Sequence, residues 1–270
     1  MLDNGLLKYY DFCAEKEGRL MAHKVPSLSI GHEVAYRLFE CKRGGKSFYL
    51  KECSKSRAEA EILISQLYPK LGVPSAIYLP AMKPREIVVP KFEAVISNSV
   101  KVDNVSLATT FKTGLDALAE GKAEKVAKYF TKDCVKQIST MQALDLAAGN
   151  CDRHDSNFFV QTDESGKAES IVTIDHESSG GGVYSFKGYP YYNYLNNVVA
   201  PSWKDIIFDL KENEAAAAAV SSKELAETIG SAPIVDTVRD IKEATGYEIG
   251  EKYVDALQRS FEEVAEDLVN

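Results

Sequence analysis

Three kinds of side chain, spaced along one stretch of this chain, are those that phosphoryl transfer requires. The run Gly149-Asn150-Cys151-Asp152-Arg153-His154-Asp155-Ser156-Asn157-Phe158 is followed by Ile174-Asp175-His176-Glu177. Such a reaction needs a carboxylate to orient the attacking hydroxyl, a neutral amide oxygen for one magnesium ion, and a second carboxylate bridging magnesium to the ATP phosphates. Asp152, Asn157 and Asp175 offer these groups in that order, and His154 is placed to share the base role or to stabilise the transferring group. Asp, Asn and His also populate ordinary turns, because their side chains bond nearby backbone. A capped loop alone, however, has no need of a second acidic residue delivered by a hairpin 23 positions after Asp152.

Elements that could position these groups are readable on either side. Residues 171–174 (Ile-Val-Thr-Ile) are a β-rich run, residues 158–161 (Phe-Phe-Val-Gln) are its expected hairpin partner, and the polar, Gly-containing segment 162–167 is the turn. Thr131 opens a helix with Val135, Ile138, Met141 and Leu144 on one face, which carries the chain into Gly149. Upstream, residues 34–39 and 47–51 flank a Gly44-Gly45 turn of hairpin type, so that Lys51 falls at a strand end. Ser56-Arg57-Ala58-Glu59 reads as a capping box, and the helix it opens places Ala60, Leu63, Ile64, Leu67 and Leu71 at helical spacing before Gly72 and Pro74 end it. A strand lysine followed by a helix glutamate is how a kinase lysine is held on the α/β-phosphates. Glu59 is occupied if the box forms, which leaves Glu61, at the edge of the buried stripe, as the expected partner of Lys51. The phosphate-covering loop is assigned to residues 26–32, where Ser27, Ser29 and Gly31 could present backbone amides.

Asp152, His154, Asn157 and Asp175 resemble the catalytic and metal-binding positions of the HipA-like serine/threonine kinases. The Asp-Arg-His-x-x-Asn form also resembles phosphatidylinositol 3/4-kinases, which share a kinase-like fold. The spacing from Asp152 to Asp175 and the Leu-Tyr-x-x-Leu-Gly ending at Gly72 are closer to the HipA-like side, over roughly residues 27 to 180. The resemblance implies an ATP- and magnesium-dependent kinase, with a protein serine or threonine as acceptor. Asp152 and His154 would be catalytic, Asn157 and Asp175 metal-binding, and Lys51, Glu61, Ser29 and Gly31 nucleotide-binding. It also implies a serine on the phosphate loop, so autophosphorylation at Ser27 or Ser29 would add negative charge beside the ATP phosphates and inactivate the enzyme. The chain departs from related patterns in lacking His-Arg-Asp, Asp-Phe-Gly and G-x-G-x-x-G motifs. The extra N-terminal region and Gln-x-Lys stretch usual in HipA-like proteins are not evident, so a toxin role does not carry over.

The expected fold class is α+β. The expectation is one two-lobed, protein-kinase-like domain over 1–270, with a small strand-rich N-lobe bearing one helix to about residue 90 and a larger, mainly helical C-lobe carrying the catalytic hairpin. At 270 residues and 45% hydrophobic composition the chain can bury a full core. Residues 86–89 (Glu-Ile-Val-Val) would run into a hinge beside the adenine, and the Gly- and Tyr-rich stretch 176–197 would be a substrate loop or a pinned surface loop. Ser202 with Asp205 and Ser221 with Glu224 read as capping boxes, and Tyr253, Leu257, Phe261, Val264 and Leu268 give the last helix an apolar stripe. Five cysteines with no paired spacing point to reduced thiols, and no signal peptide or transmembrane run of about 20 residues is visible, so a cytoplasmic setting is expected. The four histidines show no zinc-ligand spacing. A net charge of -8 argues against direct nucleic-acid binding and weakens a lipid-kinase reading. A phosphoinositide or small-molecule kinase, and a nucleotide-binding pseudokinase scaffold, remain the alternatives.

Overall fold

In the computed structural model the backbone is described for residues 23–24, 37–43, 46–53, 55–81, 93–98, 105–150, 153–179 and 213–269; side chains are described for Lys51 and residues 55–80, 106–150, 153–179 and 213–269. The architecture is α+β, as expected. A five-stranded antiparallel sheet contains β1 (His23–Lys24), β2 (Arg37–Arg43), β3 (Lys46–Cys53), β4 (Tyr78–Ala81) and β5 (Glu93–Asn98), in the order β1-β2-β3-β5-β4. Arg43 faces Lys46 across β2 and β3, the register of a hairpin closed over two residues, as Gly44-Gly45 predicts. The sheet takes β5 from beyond the expected lobe boundary near residue 90. Its run Ala-Val-Ile-Ser inserts between β3 and β4, a non-local pairing that no adjacent turn announces.

Helix α1 (Lys55–Lys70) starts one residue before Ser56, so Ser56 lies inside the first turn rather than at its cap. Its C-terminus closes as a Schellman motif, with Val73 N–H bonded to Tyr68 O at 3.1 Å, Gly72 N–H to Pro69 O at 3.3 Å, and Gly72 at φ +83°. Every residue from Ala58 through Tyr68 is buried, not only the expected stripe. Helices are rarely buried all round unless their polar positions find partners. Here they do. Glu59 accepts Gly250 N–H at 3.1 Å, Ser65 Oγ accepts Tyr78 N–H at 3.0 Å, and Gln66 donates to Tyr78 O at 3.4 Å.

The remainder is mainly helical around a second, three-stranded sheet of β6 (Val105–Leu107), β7 (Phe158–Thr162) and β8 (Ala168–Thr173), in sequence order. After a 3-10 turn come α2 (Lys112–Ala119), α3 (Ala123–Val126) and α4 (Lys132–Ala148). Beyond the hairpin come α5 (Glu214–Ala219), α6 (Ser222–Gly230), α7 (Ile234–Thr245) and α8 (Glu251–Val269). Thr131 caps α4 by accepting Cys134 N–H, and Gly149 ends it in the left-handed region. Ser221 caps α6 through Glu224 N–H. Along α8, Tyr253, Leu257, Phe261 and Leu268 are buried as the stripe requires, with Val264 half-buried. Among the described residues, no helix is long and apolar enough to cross a membrane. The hinge run 86–89 and the pair Ser202/Asp205 lie outside the described residues.

Candidate active site

Hairpin β7/β8 forms as expected, with Phe158 opposite Thr173. Its turn is built on Asp163, whose carboxylate accepts the N–H groups of Ser165 and Lys167, with Gly166 at φ +82°. Gln137 of α4 braces β8 by accepting Ile171 N–H at 3.0 Å. The strand stops at Thr173, one residue short of the expected Ile174, because Thr173 bonds instead to the segment that follows α1: its N–H reaches Pro74 O and its carbonyl accepts Ala76 N–H, both at 2.9 Å. That stitch carries the hairpin exit across to the first sheet. Asp175 then adopts φ +58°, the one non-glycine positive φ among the described residues. Such a backbone is uncommon for a residue with a Cβ, though Asp tolerates it better than most.

Three chain segments meet at Lys51, which is 4% exposed. Its Nζ lies 2.5 Å from Glu61 Oε1, 2.7 Å from Asp175 Oδ1 and 2.8 Å from Glu177 Oε2. The structure thus brings the strand lysine, the helix glutamate and the hairpin-exit aspartate together, although Lys51 and Asp175 are 124 residues apart. Glu59, the competing glutamate, points instead to Gly250. Glu177 also receives Arg57 at 3.0 Å, and in the sequence it is marked by nothing beyond its place two residues after Asp175.

The charges are unequally held. Burial opposes a charged Lys51, yet Glu61, Asp175 and Glu177 more than offset it and hold its pKa well above the ordinary amine value. Burial pushes the fully enclosed Glu61 carboxyl up to about 7 against the pull of Lys51. Asp175 also meets a burial cost, but Lys51, then Arg153 and His154, keep it below the usual aspartate value. Glu177 is raised, chiefly by burial. Three carboxylates around one ammonium leave surplus negative charge, and burial makes Glu61, the carboxylate with least access to water, the one that takes up a proton most readily.

The carboxylate oxygens of Glu61, Asp175 and Glu177 lie within 4.8 Å of one another, a spacing that could hold a cation. The Lys51 ammonium already stands against all three. The expected magnesium ligands are Asn157 and Asp175. Ile174 N–H bonds Asn157 O at 3.1 Å, which fixes the two ligand-bearing segments side by side. Both side chains offer hard oxygen donors, and the Asp175 side chain is 20% exposed against 0% for Glu61 and 7% for Glu177. A part-exposed carboxylate with a buried amide, Asn157 being 5% exposed, is a donor pair that suits magnesium, which keeps waters and takes few protein ligands. The residues therefore fit the ion.

His154 is half-buried and its Nδ1 accepts Ser156 N–H at 3.2 Å. Asp152, the expected base, and Ser29 and Gly31, the expected phosphate-loop residues, lie outside the described residues, as do Ser27, Cys151 and residues 180–197 of the glycine- and tyrosine-rich stretch. Behind the site, His176 is fully buried. Burial, then Arg153 and Lys51, hold its pKa well below the ordinary imidazole value. Its backbone N–H donates to Glu61 Oε2 at 2.8 Å, and its ring stands edge-on to Tyr68.

No protein-family model matches the chain and no curated protein does. Among solved structures, the chain is similar to the proinflammatory kinase CtkA of Helicobacter pylori, at 12% identity over 91% of this chain and 92% of that one, with a TM-score of 0.49. It is also similar to WaaP in complex with acyl carrier protein, at 13% identity, 99% and 95% coverage and a TM-score of 0.39. A thermostable mutant of the aminoglycoside phosphotransferase APH(4)-Ia in its apo form follows at 18% identity, 93% and 98% coverage and a TM-score of 0.35.

Proposed function

We propose that the chain is an ATP- and magnesium-dependent phosphotransferase with a two-lobed, kinase-like organisation over its whole length. One observation carries this reading: the buried Lys51 ammonium lies 2.5 Å from a helix glutamate and 2.7 Å from an aspartate at a hairpin exit. Structural ion pairs seldom justify sinking a lysine among three carboxylates, because desolvation costs rival the attraction. A site built to exchange that lysine onto phosphates does justify it. Magnesium, when bound, would neutralise charge on the phosphates and hold them for in-line transfer. Asp175 and Asn157 would hold the ion by carboxylate and amide oxygen, and Lys51 would leave Asp175 for the phosphates while Glu61 keeps its ammonium in place. Asp152 would orient the acceptor hydroxyl and take its proton, with His154 beside it. Glu177 would remain with Arg57, keeping a second carboxylate off the phosphates.

The acceptor proposed is a serine or threonine of a protein, on the HipA-like form of the Asp152-to-Asp175 stretch. Ser29 and Gly31 are proposed to cover the phosphates, and a cytoplasmic setting is proposed on the cysteine usage. Incubation of the purified protein with γ-labelled ATP and magnesium, with cell lysate, lipid vesicles or aminoglycosides added in parallel, tests the reading. Label in protein supports it. Label only in lipid or in the small molecule moves the acceptor class, and label nowhere favours a nucleotide-binding scaffold.

A further inference from the structure

Arg153 has no part in the chemistry above, yet it is the most fully committed side chain in the molecule's described interior. It is 3% exposed. A guanidinium carries five N–H donors in a rigid fork, and every one has an acceptor here. Nε donates to Asp145 Oδ2 at 2.8 Å and Nη2 to Asp145 Oδ1 at 3.1 Å, a bidentate pair. The second Nη2 hydrogen meets His176 Nδ1 at 3.0 Å. Nη1 donates to Asn157 O at 2.6 Å and to Ile174 O at 2.7 Å.

The acceptors are informative by position. Asn157 is one proposed magnesium ligand, Ile174 immediately precedes the other, and His176 immediately follows it. Because Arg153 can only donate, His176 Nδ1 must accept, which puts the imidazole proton on Nε2, facing Ser75 Oγ at 2.9 Å. The other side of the pair is equally anchored. Asp145, on α4, also receives Tyr68 Oη of α1 at 2.8 Å and Asn150 Nδ2 at 3.0 Å.

We propose that Arg153, held by Asp145, is the positioning residue that sets the separation of Asn157 and Asp175 and so the affinity for the divalent cation. This deepens the phosphotransferase reading and rests on it. A buried Arg–Asp pair with no positioning duty would need neither backbone carbonyls of both ligand segments nor the ring flanking Asp175. The guanidinium ties four pieces of chain, α4, the 153–157 loop, the hairpin exit and, through Tyr68, α1, to one rigid plane. Lysine would keep the charge but supply three donors from a point, too few and in the wrong directions for five acceptors.

The test is Arg153→Lys, read by fluorescent-ATP binding with and without magnesium and by hydrogen exchange at the Ile174 amide, which bonds Asn157 O. Partners behind a metal ligand commonly affect metal affinity by about 10–100-fold, so magnesium half-saturation should rise by at least ~10-fold while magnesium-free nucleotide affinity shifts by no more than ~2-fold. Ile174 exchange should quicken by at least about tenfold while α8 keeps its protection. Unchanged half-saturation or unchanged Ile174 exchange in a folded variant would overturn the proposal. So would a parallel loss of both affinities with faster exchange throughout, the mark of a merely structural pair. If wild type binds no nucleotide in any condition, the phosphotransferase reading falls with its metal role, and the Ile174 exchange alone decides whether Arg153 fixes the loop. Should Arg153→Lys not fold, Asp145→Asn, which keeps one acceptor for the fork, is read the same way.

Discussion

Removing the Lys51 charge gives the sharpest physical prediction. Lys51→Met keeps the length and apolar stem of the side chain and deletes the ammonium that Glu61, Asp175 and Glu177 share. Their oxygens, within 4.8 Å of one another, then face each other with Arg57 paired to Glu177 and Arg153 acting from farther off on Asp175. Breaking a buried pair by removing one partner costs about 3–5 kcal/mol. In a chain of this size that corresponds to a loss of roughly 5–10 °C in melting temperature. The variant can escape part of the cost by taking up protons, since like charges in one site cannot all ionise. Its folded carboxyls then titrate above their unfolded values, so the folded state binds more protons than the unfolded one and stability rises as pH falls. Urea unfolding at pH 8 and pH 5.5 is the assay. The expected deficit against wild type is the full ~3–5 kcal/mol at the higher pH and at least ~1.4 kcal/mol smaller at the lower, one pKa unit's worth. Adding Glu177→Gln should recover part of it. A deficit that is small or independent of pH would mean that the three carboxylates do not converge on Lys51.

Three further outcomes follow from the same geometry. Glu61, with its carboxyl near 7, must be ionised to hold Lys51, so the transfer rate should rise as pH increases through about 7; a pH–rate profile of Glu61→Gln should lack that limb and lie below wild type at pH 8. Asp175→Asn should weaken magnesium-dependent ATP binding, measured by calorimetry with and without the metal, and leave the circular dichroism spectrum unchanged; equal metal dependence in both proteins would remove Asp175 from the ligand set. Gly114→Ala in α2 should destabilise by ~1–3 kcal/mol in urea unfolding, because the added methyl would stand 2.6 Å from Phe130 Cε2 and 2.8 Å from Tyr129 Cβ.

What the sequence disclosed was what is written locally. Thr131, Gly149, Ser221 and the Asp163-to-Gly166 turn act on neighbours a few residues away, and the elements they bound are the expected ones. Helix α1 begins at Lys55, one residue before the start that Ser56 signals, and its Glu59 accepts a backbone N–H 191 positions on, a long-range contact that the local pattern does not disclose. The place of β5 between β3 and β4, the addition of β6 to the hairpin and the enclosure of α1 all depend on long-range pairing, on which periodicity is silent. For the site, the residue types that handle phosphates could be picked out, since their chemistry is specific. Glu177 and the Arg153–Asp145 pair could not, because an acidic or basic residue beside a motif looks like any solvated charge until its burial is known.

The claim that Lys51, Glu61, Asn157 and Asp175 frame a phosphoryl-transfer centre is tested most directly by single-turnover transfer from γ-labelled ATP with magnesium, comparing wild type with Asp152→Ala. A positioned acid/base group is worth roughly 100-fold or more in turnover. The account predicts measurable transfer by wild type, and a loss of at least ~100-fold in the variant with ATP affinity retained. Transfer at the same rate in both proteins, or none in wild type with any acceptor class, would contradict it.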